Sequence, residues 1–232
     1  MALITMTGGL HIFTCPEPQT PLTSLEGIAE SARLCFPHIL PYFDTHDAFL
    51  VACFSRHPLV GKLQAEINQR KAKSRAQAVT GIFEASVTTA MTIAGAVPHK
   101  KWGVISTEYS WRPWTDEAVG DFLGVAEPRK TMGRYLGCET IGVQAEELEG
   151  KDHLFLEIAV ETALKTLLQG EDVSVSGAPA IILGCAGLGL LEGAIKKCSK
   201  EVLGEECGTE LVIVDGVKVG IGSLITLIRG LA

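Results

Sequence analysis

The sequence predicts an α/β fold built on parallel β-strands, and three observations support this prediction. Short apolar runs rich in Val, Ile and Leu recur along the chain, and a helix-like segment follows each of them. This alternation is typical of βαβ units, in which the strands lie parallel. The composition agrees, because 47% hydrophobic residues and 25 glycines among 232 residues suit helices packed closely on a buried sheet.

The predicted elements alternate from residue 48 to the end of the chain. Strands are expected over residues 48–54, 79–83, 102–106, 180–183 and 211–214, and helices over residues 59–75, 84–94, 115–123, 190–203 and 217–231. The run AFLVACF (48–54) is continuous and apolar, as in a strand buried on both faces. Pro58 precedes the first of these helices, AIIL (180–183) runs into Gly184-Cys185, and LVIV (211–214) ends at Asp215.

Charge and hydropathy exclude two classes of partner. The formal net charge is −7, and the densest basic stretch, residues 69–75, falls in a helix-like segment where it forms a solvated face, so nucleic acid is not an expected partner. The sequence has no secretory leader and no run of about 18 apolar residues, which predicts a cytoplasmic protein that does not span a membrane.

The seven cysteines favour free thiols over disulfides or metal ligands. They stand at positions 15, 35, 53, 138, 185, 198 and 207, an odd number without a repeating spacing, and the chain has neither a Cys-x-x-Cys nor a His-Glu-x-x-His motif. No metal and no other cofactor is therefore expected. Cys53 and Cys185 occupy matching positions, because each follows an apolar run and precedes small or polar residues.

These two cysteines stand where parallel sheets bind ligands, at the carboxyl ends of strands. Thr107 and Asp215 stand at such ends as well. A thiol that faces a helix N-terminus has its pKa lowered from about 8.5 toward neutrality, where it takes and gives a proton efficiently. Each cysteine could instead be a small buried hydrophobe, and the spacing alone leaves this alternative open.

Two thiols on opposite faces of one substrate suit a particular reaction. One, as a thiolate, removes the proton from a carbon next to a carbonyl, and the other delivers a proton from the far side, so the carbon is inverted without a cofactor. Backbone amides of the Gly-rich turns and the hydroxyls of Ser55 and Thr107 would stabilise the enolate-like intermediate.

Five segments resemble motifs of the aspartate/glutamate/hydantoin racemase superfamily, in particular those of hydantoin racemases and their fungal relatives. They are FTCP (13–16) with SLEG (24–27), ACFS (52–55) with Pro58, TGIFEAS (80–86), GCAGL (184–188) and VDGV (214–217). In the family, the first of them corresponds to the second strand and the turn after it. The resemblance runs in order from about residue 10 to the C-terminus.

The resemblance implies two flavodoxin-like α/β domains, residues 1–77 with 209–232 and residues 78–208, with the active site in the cleft and one catalytic thiol, Cys53 or Cys185, from each domain. No cofactor would be needed, the partner would be a small-molecule substrate, and a homo-oligomer stays open. The residues that would bind the substrate are Phe54, Ser55, Gly81, Glu84, Ser106, Thr107, Gly184, Ala186 and Gly187.

The family's substrates include hydantoins, allantoin and acidic amino acids, and related members isomerise maleate or decarboxylate arylmalonates. Racemases of acidic amino acids place Asn and Thr after the first cysteine, and Thr and His after the second. Here those places hold Phe54, Ser55, Ala186 and Gly187. An aromatic ring and small side chains favour a flatter, less charged substrate, such as a hydantoin-like ring or a related amide.

The chain departs from the family at its beginning. The family pattern starts with a strand that ends in Asn-Pro-Asn-Ser/Thr, whereas the single asparagine here is Asn68, in a helix-like segment, and residues 4–7 are too few for the strand and its helix. Three explanations stay open: a lost N-terminal exon, completion of the sheet by a partner, or a degenerate member without activity.

Two further residues have alternative roles. Arg56 stands where the family commonly has an acidic residue, and it would either favour the Cys53 thiolate or bind a carboxylate, or be a solvent-facing loop residue. Glu84 would either orient a substrate amide or interact with the dipole of the helix that it begins.

Other functions have less support from the motifs. Gly187-Leu188-Gly189 and Gly220-Ile221-Gly222 do not complete a dinucleotide-binding Gly-x-Gly-x-x-Gly after a strand, and the Gly-x-Ser-x-Gly of serine hydrolases is absent. A non-catalytic protein with a racemase fold is the main alternative. A cysteine-dependent isomerase or decarboxylase is another, although a decarboxylase needs only one thiol.

Overall fold

The computed structural model describes residues 9–16, 24–70, 76–128, 133–169, 171 and 177–231. It confirms the α/β fold class with parallel strands. The chain forms two compact units, residues 1–85 with 217–232 and residues 86–216, whereas the sequence placed the two divisions after residues 77 and 208. The possible remnant of the family's first strand, residues 4–7, and part of the basic stretch, residues 71–75, lie outside the described residues.

The helices and strands alternate through most of the chain. In order they are α1 (Leu25–Ile39), β1 (Ala48–Val51), α2 (Pro58–Arg70), β2 (Ala78–Gly81), α3 (Ile82–Ala96), β3 (Trp102–Ser106), α4 (Trp111–Leu123), β4 (Tyr135–Thr140), α5 (His153–Leu167), β5 (Ala180–Leu183), α6 (Glu192–Leu203), α7 (Glu205–Thr209), β6 (Val212–Asp215) and α8 (Gly216–Leu231). Short 3-10 helices cover Leu40–Asp44, Ala145–Gly150 and Ala186–Leu191.

The sheet of the first unit has two strands within the described ranges. β1 and β2 pair in parallel, and the last residue of each, Val51 and Gly81, lie opposite one another. Every side chain of β1 is fully buried, since α1 and α2 share its core and α8 packs on it. Between α8 and β1, a Cβ on Gly220 would lie 2.6 Å from Cδ1 of Leu50, so the helix approaches the strand closely.

The segment before α1 is not the strand that the family resemblance implies. Residues 10–15 have no regular structure, and side-chain contacts hold them instead of a ladder of backbone hydrogen bonds. His11 Nδ1 lies 2.9 Å from Nε2 of His46, and Cys15 is buried in the core. The SLEG sequence is a helix start, because the hydroxyl of Ser24 accepts the amide hydrogen of Gly27 at 2.9 Å and so caps α1.

The second unit contains a four-stranded parallel sheet with the order β4-β3-β5-β6. β3 and β5 are central, and all of their side chains are buried, as expected for strands covered by helices on both faces. Because the strands are parallel, their carboxyl ends meet at one edge, where Ser106 lies opposite Thr140 and Leu183 lies opposite Asp215.

The boundaries of the predicted elements are correct in some cases and wrong in others. β3 and β5 have the predicted bounds, whereas the strand predicted over 48–54 ends at Val51 and the one over 79–83 ends at Gly81, because Ile82 already begins a helix. The helix predicted over 115–123 begins at Trp111, and the one over 190–203 begins as an α-helix only at Glu192. The elements that were not predicted are α1, β4, α5 and α7. No helix in the described part of the chain combines the length and the apolar character that crossing a membrane requires.

The close crossing of α6 and α7 yields a prediction about stability. A Cβ on Gly208 would lie 2.4 Å from Cα of Lys200 and 2.6 Å from the carbonyl oxygen of Ser199, so the backbone would have to move. We expect Gly208→Ala to lower the free energy of unfolding by about 1–3 kcal/mol. Gly193→Ala, on the open side of α6 with nothing within 4 Å, should raise it by roughly 0.4–1 kcal/mol. Urea unfolding followed by circular dichroism measures both, and equal stabilities would contradict the prediction.

Candidate active site

Cys53 follows the carboxyl end of β1 by two residues and begins the loop that leads into α2. Its side chain is half-buried, and its Sγ lies 3.4 Å from the hydroxyl oxygen of Ser55, which is buried. The amide N–H of Ser55 donates to the carbonyl oxygen of Cys53 at 2.9 Å, so a tight turn holds the hydroxyl beside the sulfur. A hydroxyl in this position can donate a hydrogen bond to a thiolate.

His57 fixes the other end of this loop. Its amide N–H donates to the carbonyl oxygen of Ser55 at 2.7 Å, and its Nδ1 accepts the amide hydrogen of Leu59, in the first turn of α2, at 3.3 Å. Burial lowers the pKa of His57 to about 4, so the ring is neutral near pH 7, with its proton on Nε2. His57 is not among the residues predicted from the sequence, although a polar residue directly before Pro58 at a helix start is a signal of an N-cap.

The same loop packs against the start of α3. Phe54 and Phe83 meet edge to face with ring centroids 5.3 Å apart, and both rings are buried. Gly81, the last residue of β2, leaves space for the carboxylate of Glu84, since a Cβ on Gly81 would lie 2.3 Å from Glu84 Oε2. The first unit therefore brings Phe54, Gly81 and Glu84 to the end of the sheet that Cys53 follows.

The carboxylate of Glu84 stands in the first turn of α3 and resists ionisation. Burial raises its pKa, and the backbone of Glu84 and Gly81 and the charge of the exposed Arg56 oppose that rise. The backbone contacts agree with a role at the helix start. Its Oε2 is nevertheless buried without a hydrogen-bond partner.

Cys185 follows β5 by two residues, and close packing fixes the residue before it. The amide of Gly184 donates to the carbonyl oxygen of Ile105 at 2.7 Å, and the hydroxyl of Ser106 donates to the carbonyl oxygen of Gly184 at 3.0 Å. A Cβ on Gly184 would lie 2.8 Å from Cγ1 of Val104 and 2.9 Å from Cβ of Ser106. Only glycine fits here, and the hydroxyl of Ser106 is engaged within the protein.

The Cys185 thiol occupies the cap position of the 3-10 helix Ala186–Leu191, where a lowered pKa is expected from the sequence. This expectation is wrong, because burial raises the pKa of Cys185 and outweighs the opposing N–H groups of Gly187 and Leu188. Glu146 adds a smaller upward contribution. The two residues after Cys185, Ala186 and Gly187, have small side chains or none. A Cβ on Gly187 would lie 3.7 Å from Sγ of Cys185.

Other predicted residues lie at the same edge of this sheet. Thr107 is buried, and its carbonyl oxygen accepts the amide hydrogen of Gly142 at 2.9 Å. Asp215 ends β6 beside β5, and its Oδ2 would lie 3.5 Å from a Cβ on Gly189, in the 3-10 helix after Cys185. The second unit thus brings Thr107, Gly184, Cys185 and Asp215 to neighbouring strand ends.

The remaining cysteines lie elsewhere. Cys15, Cys35, Cys138 and Cys198 are buried, and Cys207 is half-buried in α7. Within the described ranges, no group of three or more His, Cys, Asp or Glu side chains has an arrangement that could hold a metal ion.

Comparison with known proteins gives a family and a fold. A family model described as Asp/Glu/Hydantoin racemase matches residues 14–224. Uncharacterized protein C1F7.10 of Schizosaccharomyces pombe is 28% identical over 225 residues, which are 95% of this chain and 79% of that protein.

Two solved structures are similar over almost the whole chain. The allantoin racemase from Klebsiella pneumoniae superimposes with a TM-score of 0.66 at 17% identity, covering 99% of this chain and 80% of the other. The allantoin racemase from Pseudomonas fluorescens gives a TM-score of 0.60 at 20% identity, covering 99% and 83%. At these identities the similarity shows a shared fold.

The burial of Cys185 yields a prediction about its reactivity. Because only the thiolate is alkylated and burial raises the pKa of this thiol, the rate of alkylation by iodoacetamide should still be rising with pH above about 8.5, where a free cysteine is half ionised. Peptide mass spectrometry of samples quenched across a pH series measures the rate at Cys185, with a short cysteine peptide blocked at both ends as the reference. A midpoint below that of the reference would show that the helix end outweighs burial.

Proposed function

Since this chain belongs to the Asp/Glu/hydantoin racemase family, we propose that it is a racemase or epimerase that inverts a carbon next to a carbonyl group. Its substrate is a hydantoin-like ring or an amino-acid derivative. Cys53 and Cys185 transfer the protons, and no cofactor takes part.

The position of the two thiols is the observation that carries this proposal. Each follows a buried parallel strand by two residues, at the end of the sheet where such folds bind ligands. Both are half-buried, which combines access with partial removal from water, whereas Cys15, Cys35, Cys138 and Cys198 are buried. Cys207 is also half-buried, but it lies in a short helix and not after a strand.

The proton transfers follow from the groups around each sulfur. For one enantiomer, the Cys53 thiolate takes the proton from the carbon, and the electron pair of the C–H bond moves onto the carbonyl oxygen. The Cys185 thiol then gives its proton to the opposite face of the same carbon. The hydroxyl of Ser55, 3.4 Å from the Cys53 sulfur, stabilises the thiolate, while burial keeps Cys185 protonated. The first reaction leaves Cys53 protonated and Cys185 as the thiolate, and this form of the protein takes the proton from the other enantiomer with the two roles exchanged.

The side chains beside the thiols favour a neutral, flat substrate. Phe54 follows Cys53, and Ala186 and Gly187 follow Cys185, so neither loop adds a charge directly after its thiol. A free acidic amino acid would leave its second carboxylate without a cation at these positions. The two allantoin racemases of similar fold agree with a ring amide as the substrate class.

Hydrogen–deuterium exchange at the reacting carbon tests the proposal. Purified protein in D2O is mixed with enantiopure hydantoins, allantoin, aspartate or glutamate, and proton NMR follows the loss of the α-proton signal. We expect exchange with a ring amide. Cys53→Ser should slow exchange by about a hundredfold or more for the enantiomer from which Cys53 takes the proton, and Cys185→Ser should do so for the other enantiomer, because each removes the base at one face. Either substitution should stop inversion, which needs both thiols.

Cys207→Ser is the matched control, since it removes a half-buried thiol that follows no strand, and its exchange rate should equal that of the unaltered protein. Spontaneous exchange is measured without protein. A folded protein that gives no exchange above this blank would contradict the proposal and favour a non-catalytic member of the family. Release of CO2 from arylmalonates or isomerisation of maleate, without α-proton exchange, would favour the decarboxylase or isomerase alternatives.

A further inference from the structure

Two buried atoms near Cys53 have no hydrogen-bond partner. They are Nε2 of His57 and Oε2 of Glu84. Among the residues that the structure describes, these two are the buried side-chain nitrogen and oxygen atoms that have no hydrogen-bond partner. An unmade hydrogen bond at a buried polar atom is costly, so native proteins seldom keep one without a reason. A ligand that supplies both bonds would remove this cost.

The two residues belong to one neighbourhood of the first unit. Gly81 and Val51 lie opposite one another at the ends of β2 and β1. Glu84 stands three residues after Gly81, and His57 stands six residues after Val51. Val60 connects them, because its amide donates to the carbonyl oxygen of His57 at 3.0 Å and its Cγ2 would lie 3.2 Å from a Cβ on Gly81, beside the Glu84 carboxylate.

The two atoms are chemically complementary. Nδ1 of His57 accepts a hydrogen from Leu59, so Nε2 of the neutral ring carries hydrogen and is a donor. Oε2 of Glu84 can accept a hydrogen, either as an oxygen of the carboxylate or as the carbonyl oxygen of the protonated carboxyl. We propose that His57 and Glu84 together bind the amide edge of a cyclic substrate, with His57 donating to its carbonyl oxygen and Glu84 accepting from the adjacent N–H. This assignment rests on the proposed function and names its substrate class, a ring amide or ureide.

The surroundings favour a neutral ligand over a free amino acid. Burial keeps His57 uncharged and opposes ionisation of Glu84, so neither group is well placed to balance a full charge on the ligand. Neither atom is exposed in this structure, so the ligand must displace neighbouring side chains.

Binding of an inert pair of probes tests the assignment. The first probe is a hydantoin with two methyl groups on its ring carbon, which has no proton to lose there. The second is the same ring with both nitrogens methylated, which has no N–H. By calorimetry or ligand-observed NMR, the unaltered protein should bind the first probe about tenfold or more tightly than the second.

Two variants then separate the contributions of Glu84 and His57 to binding. Glu84→Leu keeps a side chain of similar size but removes both acceptor oxygens, and His57→Asn removes the Nε2 donor while keeping an acceptor that can cap α2. The Glu84 variant should weaken binding of the first probe by about tenfold and change binding of the second, which has no N–H, by less than about threefold. The His57 variant should weaken binding of both probes, because both rings keep the carbonyl oxygen that accepts from Nε2. Glu157→Leu and His153→Asn, in α5, are the matched controls and should change binding of neither probe.

Equal binding of the two probes by the unaltered protein, binding of neither, a Glu84 variant that weakens both probes alike, or a His57 variant that weakens neither would overturn the assignment. The comparison in the unaltered protein decides even if a variant fails to fold. Because the probes cannot react, α-proton exchange without discrimination between the probes would retain the proposed function and reject this assignment. Discrimination between the probes without α-proton exchange would retain this assignment and reject the proposed function.

Discussion

Parallel pairing between buried strands is the constraint on which both thiol positions depend. The side chains of β1, β3 and β5 are all buried, so each strand can pair in only one register without moving apolar groups to the surface. Parallel strands end at the same edge of a sheet, and the residues that follow them gather there. Cys53 thereby shares an edge with Glu84, and Cys185 with Thr107 and Asp215.

Burial and the helix end act in opposite directions on Cys185, and their magnitudes decide the outcome. A helix terminus stabilises a charge by about 0.3–1 kcal/mol, rising to about 2 kcal/mol when partly buried, and one pKa unit corresponds to about 1.4 kcal/mol. Full burial of an ionisable group can shift its pKa by about 3–5 units. The helix after Cys185 is a 3-10 helix of 6 residues, too short to offset removal of the sulfur from water. The Cys185 thiol therefore keeps its proton to a higher pH than its position in the chain indicates.

The sequence determines the fold class more reliably than the site. β3 and β5 have their predicted bounds because each is a short, uninterrupted apolar run. β4 is missed because Gly137, Glu139 and Thr140 interrupt its apolar pattern, and Pro37 inside α1 hides a helix that Ser24 caps. Chain order indicates that a cysteine follows a strand, but its pKa depends on burial by residues distant in sequence. For the same reason, the unpaired ring nitrogen of His57 has no sequence signal.

Several residues of the family motifs serve the fold before they serve any substrate. Gly184 is required because β3 leaves no room for a Cβ, the hydroxyl of Ser106 holds the carbonyl of Gly184, and Gly81 makes room for the carboxylate of Glu84. A match at these positions therefore supports the fold and the family, and it would persist in a member that had lost activity. The thiols are different, because a serine of similar size would fill either position with little effect on packing. Their presence at both strand ends is thus the stronger argument for retained chemistry.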